Sequence, residues 1–191
     1  MFNYNQGTIY SLLCAVLPCF IYLLVWGRKK PLLHSVWVMI FVLYCGQVYD
    51  ITGAGGLSDI LYRPEGSINP SFIQGTVNLI PFQNFTTGFF LNILMCVPLG
   101  FLLPFIWKAY RKFGVTVLTG AGVSALIEVS QLLTTRATDI DDLIANTLGT
   151  AVGFGVWFAF TKLFGLRMKT TVDGSKEAWI YIAISFCGMF F

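Results

Sequence analysis

Residues 89–107 read FFLNILMCVPLGFLLPFIW, with no charged side chain and with Asn92 as the one polar one. A helix rises about 1.5 Å per residue, so roughly 20 such residues cross a hydrocarbon core about 30 Å thick. Four further runs have the same character: approximately Ile9–Trp26, Leu32–Tyr49, Val115–Leu133 and Leu143–Leu166. A sixth, Ala178–Phe191, is shorter. It fits a span cut short by the chain end, a tilted helix or an interfacial helix, and is read as a span. The remaining composition agrees. The 191 residues are 56% hydrophobic and only 11% charged, with a mean hydropathy of +0.74. Soluble domains carry about 25% charged residues, and one soluble core cannot absorb this much apolar surface. These counts exclude a soluble globular enzyme, a disordered segment and a nucleic-acid-binding module. The expected fold is an all-α polytopic membrane protein, a compact bundle of five to six transmembrane helices.

Basic residues orient such a bundle. Arg28, Lys29 and Lys30 follow the first run, and Lys108, Arg111 and Lys112 follow the third. Lys162, Arg167, Lys169 and Lys176 lie at or after the end of the fifth. Six crossings place these ten of the twelve Lys and Arg residues on one face, the cytoplasmic one, with the N-terminus outside. Arg63, Arg136 and six of the nine acids then face outward. Residues 1–8 hold no Lys or Arg, so the first run does not resemble a cleaved signal peptide. Residues 1–75 are expected to hold two helices and the start of a long external loop. Residues 76–166 are expected to form a core of three helices, and 167–191 a cytoplasmic loop with a short C-terminal membrane helix. The loop, about residues 50–88, ends in a stretch (72–82) too apolar for a solvated segment. That stretch is expected along the membrane surface or folded back between helices.

The rare polar residues locate a candidate site, because an ionisable group inside a membrane segment is costly. Glu128 lies in the fourth run with Gln131 at i+3, on one helix face. Arg136 and Asp139 follow in the next turn. Asp142 and Asn146 stand at i, i+4 on the fifth run, and Asn92 lies on the third. All sit at similar depth near the outer interface and are expected to converge into one pocket opening outward. Ala145, Gly149 and Gly153 repeat every four residues, as do Gly120 and Ser124, which suits close packing of the fourth and fifth helices as an antiparallel hairpin. Trp26 and Trp107 stand at inner span ends, where interfacial anchors belong.

Structural roles compete with these. Asp139, Asp141 and Asp142 begin a helix, where carboxylates cap N–H groups and suit the dipole. Arg136 can pair with one of them or with Glu128, and Asn92 can serve as interhelical glue. The five cysteines (Cys14, Cys19, Cys45, Cys96 and Cys187) lie in apolar runs without a C-x-x-C pair and read as buried thiols. The single histidine, His34, rules out a histidine-rich metal site. There is no nucleophile–histidine arrangement and no phosphate loop. Chemistry at the site therefore rests on carboxylates, amides and one arginine. Glu128 suits a general acid or base, with Asp139 and Asp142 orienting substrate. Arg136 suits a bidentate grip on phosphate or carboxylate, assisted by Gln131, Asn146, Asn92 and Asn78. No cofactor is called for; Asp139 and Asp142 are weak candidates for a divalent cation.

Three stretches together resemble the VanZ-like family of bacterial membrane proteins. They are Asn78-Leu79-Ile80-Pro81-Phe82, then Asn92 through Pro104 with its Val97-Pro98-Leu99-Gly100-Phe101-Leu102-Leu103-Pro104 tail, and finally Glu128…Gln131, Arg136…Asp139…Asp142 and Asn146…Gly149. The resemblance covers about residues 76–157 and leaves the first two helices and the last run outside. It implies a bacterial cytoplasmic-membrane protein related to resistance against lipid-tailed glycopeptides, teicoplanin more than vancomycin. Three functions are then open. One is a binder of a lipid headgroup, a lipid-linked cell-wall precursor or the antibiotic's acyl portion. The second is a membrane enzyme modifying a lipid or envelope component, and the third a small transporter. The expected partners are a membrane lipid, a lipid-linked precursor or the glycopeptide itself, and no nucleic acid.

Overall fold

With no water in the hydrocarbon to satisfy peptide groups, each apolar run closes its own hydrogen bonds as a helix. A computed structural model of the chain describes residues 6–27, 30–54, 56, 77–82, 86–133, 137–165 and 174–190. Six helices follow in order: α1 (Gln6–Trp26), α2 (Leu32–Thr52), α3 (Thr87–Ile106), α4 (Phe113–Gln131), α5 (Ile140–Phe164) and α6 (Ser175–Phe190). The first five are long and apolar enough to cross a membrane. Helix α6 has 16 residues and packs along α1 and α2. Exposed leucines, valines, isoleucines and phenylalanines cover the outside, including Leu94, Leu118, Val152 and Leu163. An apolar exterior of this extent belongs in a bilayer. The chain is a multi-pass, all-α membrane protein.

Local chemistry sets the helix ends. Helix α2 stops at Gly53, whose φ of 63° is the left-handed conformation glycine adopts without penalty. Helix α5 starts at Ile140, earlier than its apolar run, because Asp139 caps it: the Asp141 N–H donates to Asp139 Oδ1 at 2.9 Å. Asp141 and Asp142 occupy the first turn, where negative charge suits the dipole. Helix α3 continues through Pro98 and Pro104 and ends at Trp107, whose backbone is extended.

The small-residue stripe packs differently from the hairpin expected of it. Gly149 and Gly153 face α3 rather than α4. A Cβ on Gly149 would meet the carbonyl of Ile93, one on Gly153 the carbonyl of Val97, and one on Gly100 of α3 the carbonyl of Thr150. Helices α3 and α5 therefore touch backbone to backbone. Helix α4 approaches α5 through its own small residues: Gly120 lies against Thr150, and Ser124 Oγ accepts the Asn146 amide at 2.9 Å. Spacing shows that a helix face is thin, but not which neighbour uses it.

Two further expectations are corrected at the side-chain level. Cys19, Cys45 and Cys96 are buried thiols, whereas Cys187 is exposed on α6. Trp26 is exposed, but Trp107 is fully buried. The Trp107 ring meets Phe41 edge-on at 5.2 Å, and its Nε1–H donates to Glu177 Oε2 at 3.1 Å. Glu177 also pairs with Lys30 and with His34 Nε2, the latter at 3.2 Å. This ionic cluster ties α2, α3 and α6 together at one end of the bundle. The polar groups that line a chamber lie at the other end.

Candidate functional site

At that other end, a cavity of about 270 Å³ is lined by Ile51, Thr52, Asn92, Glu128, Gln131, Ala137, Asp142 and Asn146. It draws on the C-terminal ends of α2 and α4 and the N-terminal parts of α3 and α5. Asn92, Glu128, Gln131, Asp142 and Asn146 are thus brought to one chamber. Ile51, Thr52 and Ala137 complete its wall, and sequence reasoning passed over them because none is costly in a membrane.

Each carboxylate and amide of the wall is held by a partner on another element. Asn92 donates its amide to Asp142 Oδ1 at 2.7 Å, joining α3 to α5. Gln131 donates to the Thr52 carbonyl at 2.8 Å, joining α4 to α2. Asn146 donates to Ser124 and accepts the Cys96 thiol at 3.3 Å, so it links α5 to both α4 and α3. Glu128 is buried, and its Oε2 accepts the Asp139 N–H at 3.0 Å while its carbonyl accepts the Thr138 hydroxyl at 3.1 Å. Polar contacts of this kind contribute about 0.6 kcal/mol each in membranes, so their main effect is to fix orientation.

Asp139 and Asn78 stand beside the chamber, outside its lining. Val77 and Asn78 pair in parallel with Thr138 and Asp139 as a two-residue sheet. Asn78 donates to Asp139 Oδ2 at 3.2 Å, and the Ile80 N–H donates to Asn78 Oδ1 at 3.2 Å. The Phe82 N–H donates to Asp141 Oδ1 at 2.6 Å. Asp139 thus caps α5 with one oxygen and holds this segment with the other, while Asp141 holds it further along. Val77, Leu79, Ile80 and Phe82 are left exposed. The segment's polar side faces the α5 turn and its apolar side chains face outward. Replacing Asp139 by alanine removes the cap, a loss of about 1 kcal/mol, together with the Asn78 contact. Hydrogen exchange read by mass spectrometry should then rise across Val77–Phe82; unchanged protection there would refute the anchoring role.

Arg136 and residues 57–76 of the long loop lie outside the described residues. Among the described residues, no three His, Cys, Asp or Glu side chains are placed to share a metal ion. Asp139 and Asp142, the two expected cation ligands, are separated in role, one capping α5 and the other lining the chamber.

No curated protein and no solved structure gives a significant match to the chain. The VanZ/LLP1 family matches residues 32–162. The matched region begins with α2, which the three motifs had left outside, and α2 is the helix that supplies Thr52 and Ile51 to the chamber wall. It ends near the close of α5, so it takes in every described residue that lines the chamber. On that match, over well more than half of its length, the chain belongs to the VanZ/LLP1 family.

Proposed function

We propose that the protein works from the outer leaflet of the bacterial cytoplasmic membrane as a binder of a lipid headgroup or lipid-linked cell-wall precursor, and that it thereby limits engagement of lipid-tailed glycopeptides. The observation behind this reading is a chamber lined by two carboxylates and three carboxamides at one end of an otherwise apolar bundle. Its volume of about 270 Å³ falls below the roughly 300–1,000 Å³ typical of drug-sized sites, which suits a headgroup and is too small for a whole glycopeptide. The polar lining disfavours an acyl chain. The exposed Val77–Phe82 segment beside it supports access from the membrane, since those side chains are at home among lipids. The described basic residues Lys30, Lys108, Arg111, Lys112, Lys162 and Lys176 lie toward the opposite end and support an outward orientation for the chamber. Arg136, next in sequence to the lining residue Ala137, is assigned the headgroup phosphate in this scheme.

The test is susceptibility to teicoplanin and to vancomycin in cells expressing wild type or Glu128, Arg136, Asp139 and Asp142 variants at matched levels. Loss of protection is expected in Arg136→Gln and Asp142→Leu, more for teicoplanin than for vancomycin. Glu128→Gln keeps shape and hydrogen bonding and is expected to retain most protection. Full loss in Glu128→Gln, with a changed lipid mass on wild-type expression, would favour instead an enzyme in which Glu128 moves a proton.

A further inference from the structure

The partners already engaged inside the chamber restrict what can fill it. The amide nitrogens of Asn92, Gln131 and Asn146 each donate to protein oxygens: Asp142, the Thr52 carbonyl and Ser124. Glu128 accepts on Oε2 and Asp142 on Oδ1, while Glu128 Oε1 and Asp142 Oδ2 receive no hydrogen bond from a described residue. No Lys, Arg or His is among the described residues that line the chamber. The wall therefore commits one N–H of each amide to the protein and presents carboxylate oxygens to the occupant. Glu128 is buried and Asp142 half-buried, and carboxylates withdrawn from water in this way need compensation by positive charge and by N–H donors.

We infer that the group entering this chamber is a primary ammonium, held between Glu128 and Asp142. This rests on the headgroup reading and narrows it: the recognised part of the ligand is its amine. An ammonium offers three donors in a compact cation, which matches the two carboxylate oxygens left open by Glu128 and Asp142. A purely anionic headgroup meets like charge at the same place. Hard divalent cations fit less well, because Ca²⁺ takes six to eight oxygen ligands and this wall supplies two carboxylates. The ammonium has two sources, an amine-headed lipid or a soluble amine.

Purified full-length protein, in nanodiscs of equal parts phosphatidylethanolamine, phosphatidylcholine and phosphatidylglycerol, separates them. Lipid retained after detergent extraction is counted by native mass spectrometry. Thermal unfolding is followed in parallel with ethanolamine, choline, glycerol phosphate or Mg²⁺. The expected result is retention of phosphatidylethanolamine about tenfold over the other two, as charge-assisted hydrogen bonds would give, with the preference lost in Asp142→Asn and only reduced in Glu128→Gln, whose amide oxygen still accepts. Stabilisation of the wild type by ethanolamine but not by choline supports the ammonium site even where a variant folds poorly. If ethanolamine stabilises and no lipid is enriched, the ammonium inference stands with a soluble source and the lipid reading falls. If lipid is retained through Glu128 and Asp142 without preference for the amine, the headgroup reading stands and the ammonium inference is overturned. Retention and stability indifferent to both variants and to ethanolamine overturn both.

Discussion

Gly153→Leu will separate α3 from α5, whereas Gly155→Leu, two residues along the same helix, will leave the bundle intact. The two glycines differ only in what faces them. A Cβ on Gly153 runs into the Val97 carbonyl and the backbone of Gly100; a Cβ on Gly155 meets nothing within 4 Å. Overpacking a core usually costs about 1–3 kcal/mol, because flexible side chains yield. At Gly153 the obstacle is backbone held in a helix, so the whole helix must move, and a loss of about 3 kcal/mol or more is expected. Lipid offers little hydrophobic drive to keep membrane helices together, so close packing carries more of the association here than in a soluble core. At Gly155, leucine replaces a poor helix former on an exposed face and should stabilise by up to about 1 kcal/mol. Thermal unfolding in detergent, followed by circular dichroism, reads both. Similar midpoints for the two variants would show that α3 and α5 do not touch through this stripe. The chamber depends on the same contact, since Asn92 rides on α3 while Asp142 and Asn146 ride on α5.

That stripe marks where the sequence stops being readable. The five long runs were legible because hydrocarbon leaves the backbone no alternative to a helix, and their ends shift by only a few residues. The start of α5 moved because a capping carboxylate, Asp139, extends it beyond its apolar segment. The chamber was legible for a related reason: Glu128, Gln131, Asn92, Asp142 and Asn146 are expensive in a membrane, so their positions stand out. Their division of labour was not. Asp139 and Asp142 look alike in sequence, yet one carboxylate caps a helix and anchors a loop while the other lines the chamber. Nor does spacing reveal that Gly149 and Gly153 pack on α3, because two helices can use the same thin face. The ionic cluster was invisible for a stronger reason. Lys30 and His34, Trp107 and Glu177 come from three distant parts of the chain, and no periodicity joins those parts. The one hint was an acid, Glu177, at the head of an apolar run on a face otherwise crowded with Lys and Arg.

Glu177→Gln tests that cluster, and its effect should depend on pH. The Glu177 carboxylate is buried and accepts from Trp107 and His34 while pairing with Lys30. The glutamine variant leaves Lys30 without a counter-charge and His34 without its carboxylate partner. Breaking a fully buried pair costs about 3–5 kcal/mol, but the Lys30 side chain retains 27% exposure and can rehydrate, so about 2 kcal/mol is expected near neutral pH. Burial alone would push the Glu177 carboxyl up; hydrogen bonds and charge from His34 and Lys30 outweigh it and hold the group below its ordinary value. The folded state therefore binds this proton less readily than the unfolded chain does. Its contribution to stability is fully present above the usual carboxylate range, near pH 4.3, and is lost as pH falls through the lowered value. The gap between wild type and Glu177→Gln should be widest from about pH 6 to 8 and should narrow below about pH 4. Unfolding midpoints of both proteins across that range, in one detergent and at constant ionic strength, give the difference directly and cancel the other acids. A gap that stayed constant with pH would mean that Glu177 holds α6 through shape alone, with no contribution from its charge.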